Sequence, residues 1–518
     1  MIVLFIIALA GLLALLARNF PIDFKLFMRM LAGKQPPPRV TWTSKDDLYE
    51  DGATRGTLII GDPGVGKTRY AAMQIFKKFK AYPGQAIFVF DWSGSLTNTI
   101  LELIVRDPDY QNLLRRVVLD ELGNPEYICP KPEFHKDYGL TDEEQVSRIV
   151  DNMERLAKFM AKTAAFLTET SIEEIGKELL RLLSVVTNEH GETWQITEGK
   201  RLLMDLDLLR NAVKKYGHLQ PAARWYFLHE YLPKDFMKPS EKELSTKALR
   251  YLLGKIEGRE TRATLGYYRP GWTPKEATER GLLILIDAHR MINQPSAQHY
   301  LLMQNFSLVM AWINKREVDD PSYHPAMIAF DETYTILKIP GMAEWLGMVS
   351  PLYRSRKFQL LIIIQALWQL DKTLAPQIWT LGNIVSFAVS NADEALKVAK
   401  QLFSYEPRYI KNPPKTDTQN ATTESLQGQD RLNADWIQNL KAREVVIRRY
   451  VTEQVREPGI LYIPKTANSP NNPPYLDLRE VKEKLIQERG VRVRDALEIV
   501  NKRDLIVTGE KKQERAHL

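Results

Sequence analysis

Hydrophobic and polar positions divide the chain into four stretches with different periods. The first, Met1 to Ala17, is apolar throughout and carries no charge. Wound as a helix it would be about 25 Å long, a little short of a ~30 Å hydrocarbon core. Asn19, Phe20 and Pro21 extend it towards the interface. Arg18, Lys25, Arg29, Lys34 and Arg39 follow, and no Lys or Arg precedes it. The positive-inside rule then predicts a single-pass anchor over residues 1–20, with the bulk of the chain on the cytoplasmic face of the inner membrane. A cleaved signal peptide is the alternative, and the basic segment that should open one is missing.

Residues 21–40 read as a linker, stiffened by Lys34-Gln-Pro-Pro-Pro-Arg39. Beyond it, short apolar runs alternate with helical periodicity: Thr57–Ile60, Ala86–Phe90, Leu282–Ile286, Ala326–Phe330, Leu360–Ile364 and Ile384–Val389. This alternation predicts an α/β domain around a parallel sheet. Between residues 141 and 261 the period becomes purely helical. Thr141-x-x-Glu144 and Ser171-x-x-Glu174 are capping boxes, each opening an apolar-periodic run. The organisation expected is an α/β domain over 41–140 and 262–467, interrupted by an all-α insertion over 141–261. The alternative is that these helices continue the layers of the sheet. Residues 405–435, rich in Pro, Asn, Thr and Gln, read as a mobile loop. Residues 468–518 read as a charged helical tail with a solvated face.

Composition changes this picture little. A length of 518 residues calls for more than one domain. A net charge of +7 spread over that length permits contact with nucleic acid or an anionic membrane without demanding it. The single cysteine, Cys129, excludes an internal disulfide framework and a multi-cysteine metal site.

The chemistry lies at the ends of the apolar runs. Gly61-Asp62-Pro63-Gly64-Val65-Gly66-Lys67-Thr68 has the form G-x-x-x-x-G-K-T, between a strand and a helix start. Glycines at these places let backbone N–H groups turn inward around phosphate oxygens, and the helix N-terminus adds a positive dipole end. Lys67 is placed to reach the β- and γ-phosphates of ATP, and Thr68 to hold Mg²⁺. The run Ala326–Phe330 delivers Asp331-Glu332 to the end of a strand. Asp331 suits the water shell of Mg²⁺, and Glu332 suits a general base acting on water. Gln365 ends the next strand, where an amide can hydrogen-bond a γ-phosphate. Arg354 and Arg356 precede that strand and are candidates for an arginine finger acting on a neighbouring subunit. Asp91 ends the strand after the P-loop helix and suits either the Mg²⁺ shell or the cap of the turn at Gly94.

Together these residues resemble the RecA-like HerA/FtsK group of ring ATPases, and within it the type IV secretion coupling proteins of the TraD/TraG kind. The likeness is borne by the N-terminal apolar run, GDPGVGKT, Phe90-Asp-Trp-Ser-Gly-Ser-Leu96, Phe330-Asp-Glu-Thr333 with the Arg354–Leu370 block, and Ser390-Asn-Ala-Asp-Glu-Ala395. It covers residues 40–465. Two departures stand out: coupling proteins usually have two membrane helices, and Trp92-Ser93 replaces their Pro-Lys-like pair. The resemblance implies a membrane-anchored homo-hexamer that hydrolyses ATP with Mg²⁺ between subunits and pulls DNA by its backbone. It also implies relaxase and secretion-channel partners facing the all-α segment. A packaging or channel-assembly motor, and a membrane-bound NTPase switch that moves no DNA, are the alternatives.

Overall fold

The computed structural model describes residues 40–42, 56–160, 175–187, 192–232, 239–317, 324–337, 346, 356–370, 374–379, 381–404, 410–412, 422–423, 425–448, 450–451, 454–455, 459–462 and 474–508. The apolar run Met1–Ala17, the Ser171–Glu174 capping box and Arg354 lie outside them. Among the described residues no helix is long and apolar enough to cross a membrane.

Among the described residues, ten strands form one sheet: β1 Val40–Trp42, β2 Thr57–Ile60, β3 Ala86–Asp91, β4 Val117–Glu121, β5 Leu283–Asp287, β6 Ala326–Phe330, β7 Phe358–Ile364, β8 Asn383–Ser386, β9 Glu444–Arg448 and β10 Gly459–Tyr462. Their order is β1-β10-β9-β8-β2-β7-β6-β3-β5-β4. Only β9 runs against its neighbours, and every other pairing is parallel. The fold is therefore mixed α/β around a mostly parallel sheet, as the alternating runs predict.

The inner strands are buried on both faces, which is why they read as unbroken apolar runs. Alternate residues feed two separate cores. Ile59, Ile87, Val89, Leu285, Ala329 and Ile363 point to one face. Helices α1 Lys67–Ala81 and α2 Ser95–Val105 cover it. Leu58, Phe88, Phe90, Ile286, Phe330 and Ile364 point to the other.

That second core runs without a break into the helical segment. Val146, Ile149 and Leu156 of α3 (Asp142–Met160) belong to it, as do Leu179 and Leu183 of α4 (Lys177–Val185). Further helices, α5 Ile196–Met204, α6 Leu206–Tyr216 and α7 Pro239–Lys255, lie within the stretch of helical period. The Thr141 capping box is formed: the Thr141 amide donates to Glu144 Oε2 at 2.7 Å, and the Glu144 amide to Thr141 Oγ1 at 3.3 Å. Thr141→Ala is expected to cost about 1 kcal/mol, seen as a lower midpoint in denaturant; an unchanged midpoint would remove the cap from the account.

Three expectations need correction. First, the apolar runs did not announce β4, which lies between the second run and the helical segment. Second, the polar stretch 405–435 is not all loop. Helix α9 Leu426–Gln438 opens on Ser425, whose Oγ accepts from the Gly428 amide at 3.1 Å, and packs on α8 Ala392–Leu402. Its buried face is largely polar (Gln429, Asp430, Asn433) with Ala434 and Ile437, so hydrophobic period alone concealed it. Third, the tail is docked. Val481 and Leu485 of α10 Leu478–Arg489 join the core beneath α1 and α2. Val493, Ala496 and Val500 of α11 Val493–Thr508 are also buried. Arg503, almost fully buried, reaches Glu198 at 3.3 Å.

Candidate functional site

The loop Gly61–Thr68 leaves the carboxyl end of β2 and enters α1. A side chain at Gly61 would place its Cβ 2.5 Å from Phe387 Cβ, so glycine is required by close approach. Gly66, at φ 110°, sets the turn into the helix, and the space over Gly64 is open. Two bonds from the segment after β8 fix the loop. The Asp62 amide donates to Ala388 O at 2.9 Å, and Asp62 Oδ2 accepts from the Ser390 amide at 2.8 Å. Ser390-Asn391 is the start of the stretch singled out in the sequence, and its place against the P-loop accounts for it.

Lys67 is buried, and its Nζ donates to the carbonyls of Gly61 at 2.6 Å and Asp62 at 2.7 Å. Burial pushes its pKa down to about 8, opposed by the charges of Asp331, Asp62 and Glu332. Those charges bring the P-loop lysine and the Asp-Glu pair into one electrostatic site. Asp331 follows β6 and is buried. Its amide donates to Phe90 O at 3.0 Å, its Oδ1 accepts from the Glu332 amide at 3.1 Å, and its Oδ2 from Ser95 Oγ at 3.2 Å. Burial, with Asp91 and Glu332 beside it, raises the carboxyl pKa to about 7. A cation bound beside it would favour the charged carboxylate and displace the proton. Glu332 is half-buried and sits at φ 49°, left-handed for a non-glycine residue.

β7 lies between β2 and β6, so the residue after it, Gln365, emerges beside Gly61. The Gln365 amide donates to Gln369 Oε1 at 2.8 Å. The buried Glu394 of α8 accepts the amides of Leu367 and Trp368, each at 3.3 Å. The turn carrying Gln365 is thereby tied to the helix that follows the P-loop clamp.

In overall architecture the chain is similar to conjugative coupling proteins. The bacterial conjugative coupling protein TrwBdeltaN70, in its unbound monoclinic form, is 13% identical over 85% of this chain and 91% of its own, with a TM-score of 0.48. The plasmid coupling protein TrwB in complex with ADP and Mg²⁺ is 13% identical over 86% and 93%, at 0.48. VirB4 of Thermoanaerobacter pseudethanolicus is 13% identical over 79% and 90%, at 0.41. No protein-family model and no curated protein matches the sequence.

Asp91 serves the turn after β3. Its carboxylate accepts from the amides of Ser93 at 3.1 Å, Gly94 at 2.9 Å and Thr97 at 2.7 Å, which caps α2. Ser95, not singled out in the sequence, is the residue of that turn that reaches Asp331. Arg356 lies at the opposite, amino-terminal edge of the sheet, before β7. Its guanidinium donates to Asn314 O at 2.5 Å and Asn314 Oδ1 at 3.2 Å, closing the end of the helix Pro295–Asn314. Within one chain it is therefore not part of the P-loop site.

The residues present fit a nucleoside triphosphate with Mg²⁺. The P-loop has the open apex and inward lysine such a ligand needs, and the buried Asp331 carboxyl, near neutral in pKa, faces the same edge.

Proposed function

We propose that this chain is a membrane-anchored, ATP-hydrolysing motor that moves DNA to a secretion channel, in the manner of a type IV secretion coupling protein. The observation that supports hydrolysis is the shared edge: the loop to Lys67 leaves β2, Asp331-Glu332 follow β6, and Gln365 follows the strand between them. ATP with Mg²⁺ supplies the scissile phosphoanhydride and the charge that draws the site together. Gly64, Val65 and Gly66 offer backbone amides to the phosphates, and Lys67 neutralises charge on the β- and γ-groups. Thr68 and Asp331 hold the metal and its waters. Glu332 takes a proton from water as general base. Gln365 orients that water and the γ-group. Arg354 or Arg356 of a neighbouring subunit in a homo-hexamer offers the charge of a finger.

Support for DNA, the relaxase and channel partners, and the inner-membrane anchor comes from the sequence motifs and the Met1–Ala17 run. DNA would be gripped through its phosphates, without base readout. The test is steady-state ATPase of the protein with and without single- and double-stranded DNA, beside its mass in solution. A motor should form rings and hydrolyse faster with DNA, the stimulation falling as salt rises. Slow turnover that ignores DNA, in a monomer or dimer, would replace the motor by a switch.

A further inference from the structure

A second cation stands against the P-loop, on the flank away from Asp331. Arg443 ends the turn between α9 and β9. Because β9 runs antiparallel to β8, with Val446 opposite Ser386, the residue before β9 sits past the carboxyl end of β8, at the P-loop edge. The Arg443 amide donates to Val65 O at 3.0 Å. Its Cγ lies 3.6 Å from where a side chain on Gly66 would begin.

Three features mark the side chain as more than a turn residue. Arg443 sits at φ 74°, a conformation that glycine adopts freely and a residue with a Cβ at a cost of about 1 kcal/mol or more. The turn alone would favour glycine. The residue is half-buried, yet among the described residues its guanidinium has no hydrogen bond or ion pair. It also borders a loop whose amides are arranged to collect an anion, so the missing counter-charge is one the loop itself attracts.

Strand order says which part of that anion it meets. β6 and β9 stand two strands to either side of β2, each about 10 Å away. With Asp331 and Glu332 taking the γ-phosphate end, the nucleoside end extends towards β9. We infer that Arg443 binds the nucleoside end of the nucleotide held on its own P-loop, pairing with the α-phosphate and stacking on the base. A planar guanidinium suits both contacts. This inference rests on the nucleotide-binding part of the proposed function.

The experiment is binding of ADP and of inorganic pyrophosphate to the full-length protein and to Arg443→Ala and Arg443→Gly. Pyrophosphate fills the loop but has no nucleoside end. Both substitutions keep the Arg443 amide and hence the bond to Val65, and glycine also fits the backbone, so that variant should melt no lower than wild type. ADP affinity is expected to fall about tenfold or more in both, with a clearly smaller fall for pyrophosphate, which has no base to stack. Unchanged ADP affinity would overturn the assignment. An equal loss for pyrophosphate would overturn it too, because the arginine would then be shaping the loop. If the wild type binds neither probe, the hydrolysing motor itself fails; if it binds ADP and the variants match it, only the role of Arg443 does.

Discussion

Glu332→Gln is expected to bind ATP as well as the wild type and to turn it over about 100-fold more slowly or worse. Glutamine has the shape of glutamate and cannot accept a proton from water, whereas Asp331, Thr68 and Lys67 are untouched. Glu332 occupies a left-handed backbone position directly after β6, and its own amide is held by the Asp331 carboxylate. The geometry at that corner is therefore set by the backbone, and the substitution should change chemistry without changing shape. Steady-state ATPase beside nucleotide affinity decides the matter. Turnover equal to wild type would take the general base away from Glu332. A matching loss of affinity would mean that the side chain holds the ligand.

Lys67→Ala is expected to abolish measurable turnover, a loss of at least ~100-fold, and to weaken triphosphate binding. Lys67 is the buried cation among Asp331, Asp62 and Glu332, and alanine leaves three carboxylates around a loop meant for phosphate. The same variant tests whether sites are shared between subunits. Mixed with Arg354→Ala subunits, Lys67→Ala subunits should regain part of the activity if a finger acts across the interface. Arg356→Ala needs its melting point measured alongside, because Arg356 also closes the end of a helix within its own chain. Absence of rescue with either arginine would confine the site to one subunit.

Much of this was legible in the sequence because parallel strands buried on both faces are continuous apolar runs that end where chemistry begins. GDPGVGKT, Asp331-Glu332 and Gln365 each follow such a run, and all three emerge at one sheet edge. What was concealed had a different physical basis. Helix α9 buries amides and carboxylates, so hydrophobic period could not reveal it. The tail helices present mostly charge, with few apolar residues, among them Val481, Leu485, Val493, Ala496 and Val500, turned inward. Ser95 and Arg443 reach the site through contacts distant in sequence, and no local pattern announces those. Asp91 was undecided between metal and cap because both uses call for a carboxylate at a strand end.

The position of β2 has a bearing on how the protein is made. Its two hydrogen-bonded neighbours, β7 and β8, come from residues 358–386, and the clamp on Asp62 comes from Ala388 and Ser390. Such distant pairings close slowly. During synthesis the strand before GDPGVGKT leaves the ribosome early and then waits, an exposed apolar edge, for partners that follow about 300 residues later. A nascent chain stopped before residue 383 would contain the entire phosphate-binding motif and still be unable to shape it, so nucleotide occupancy would report that translation has passed β8.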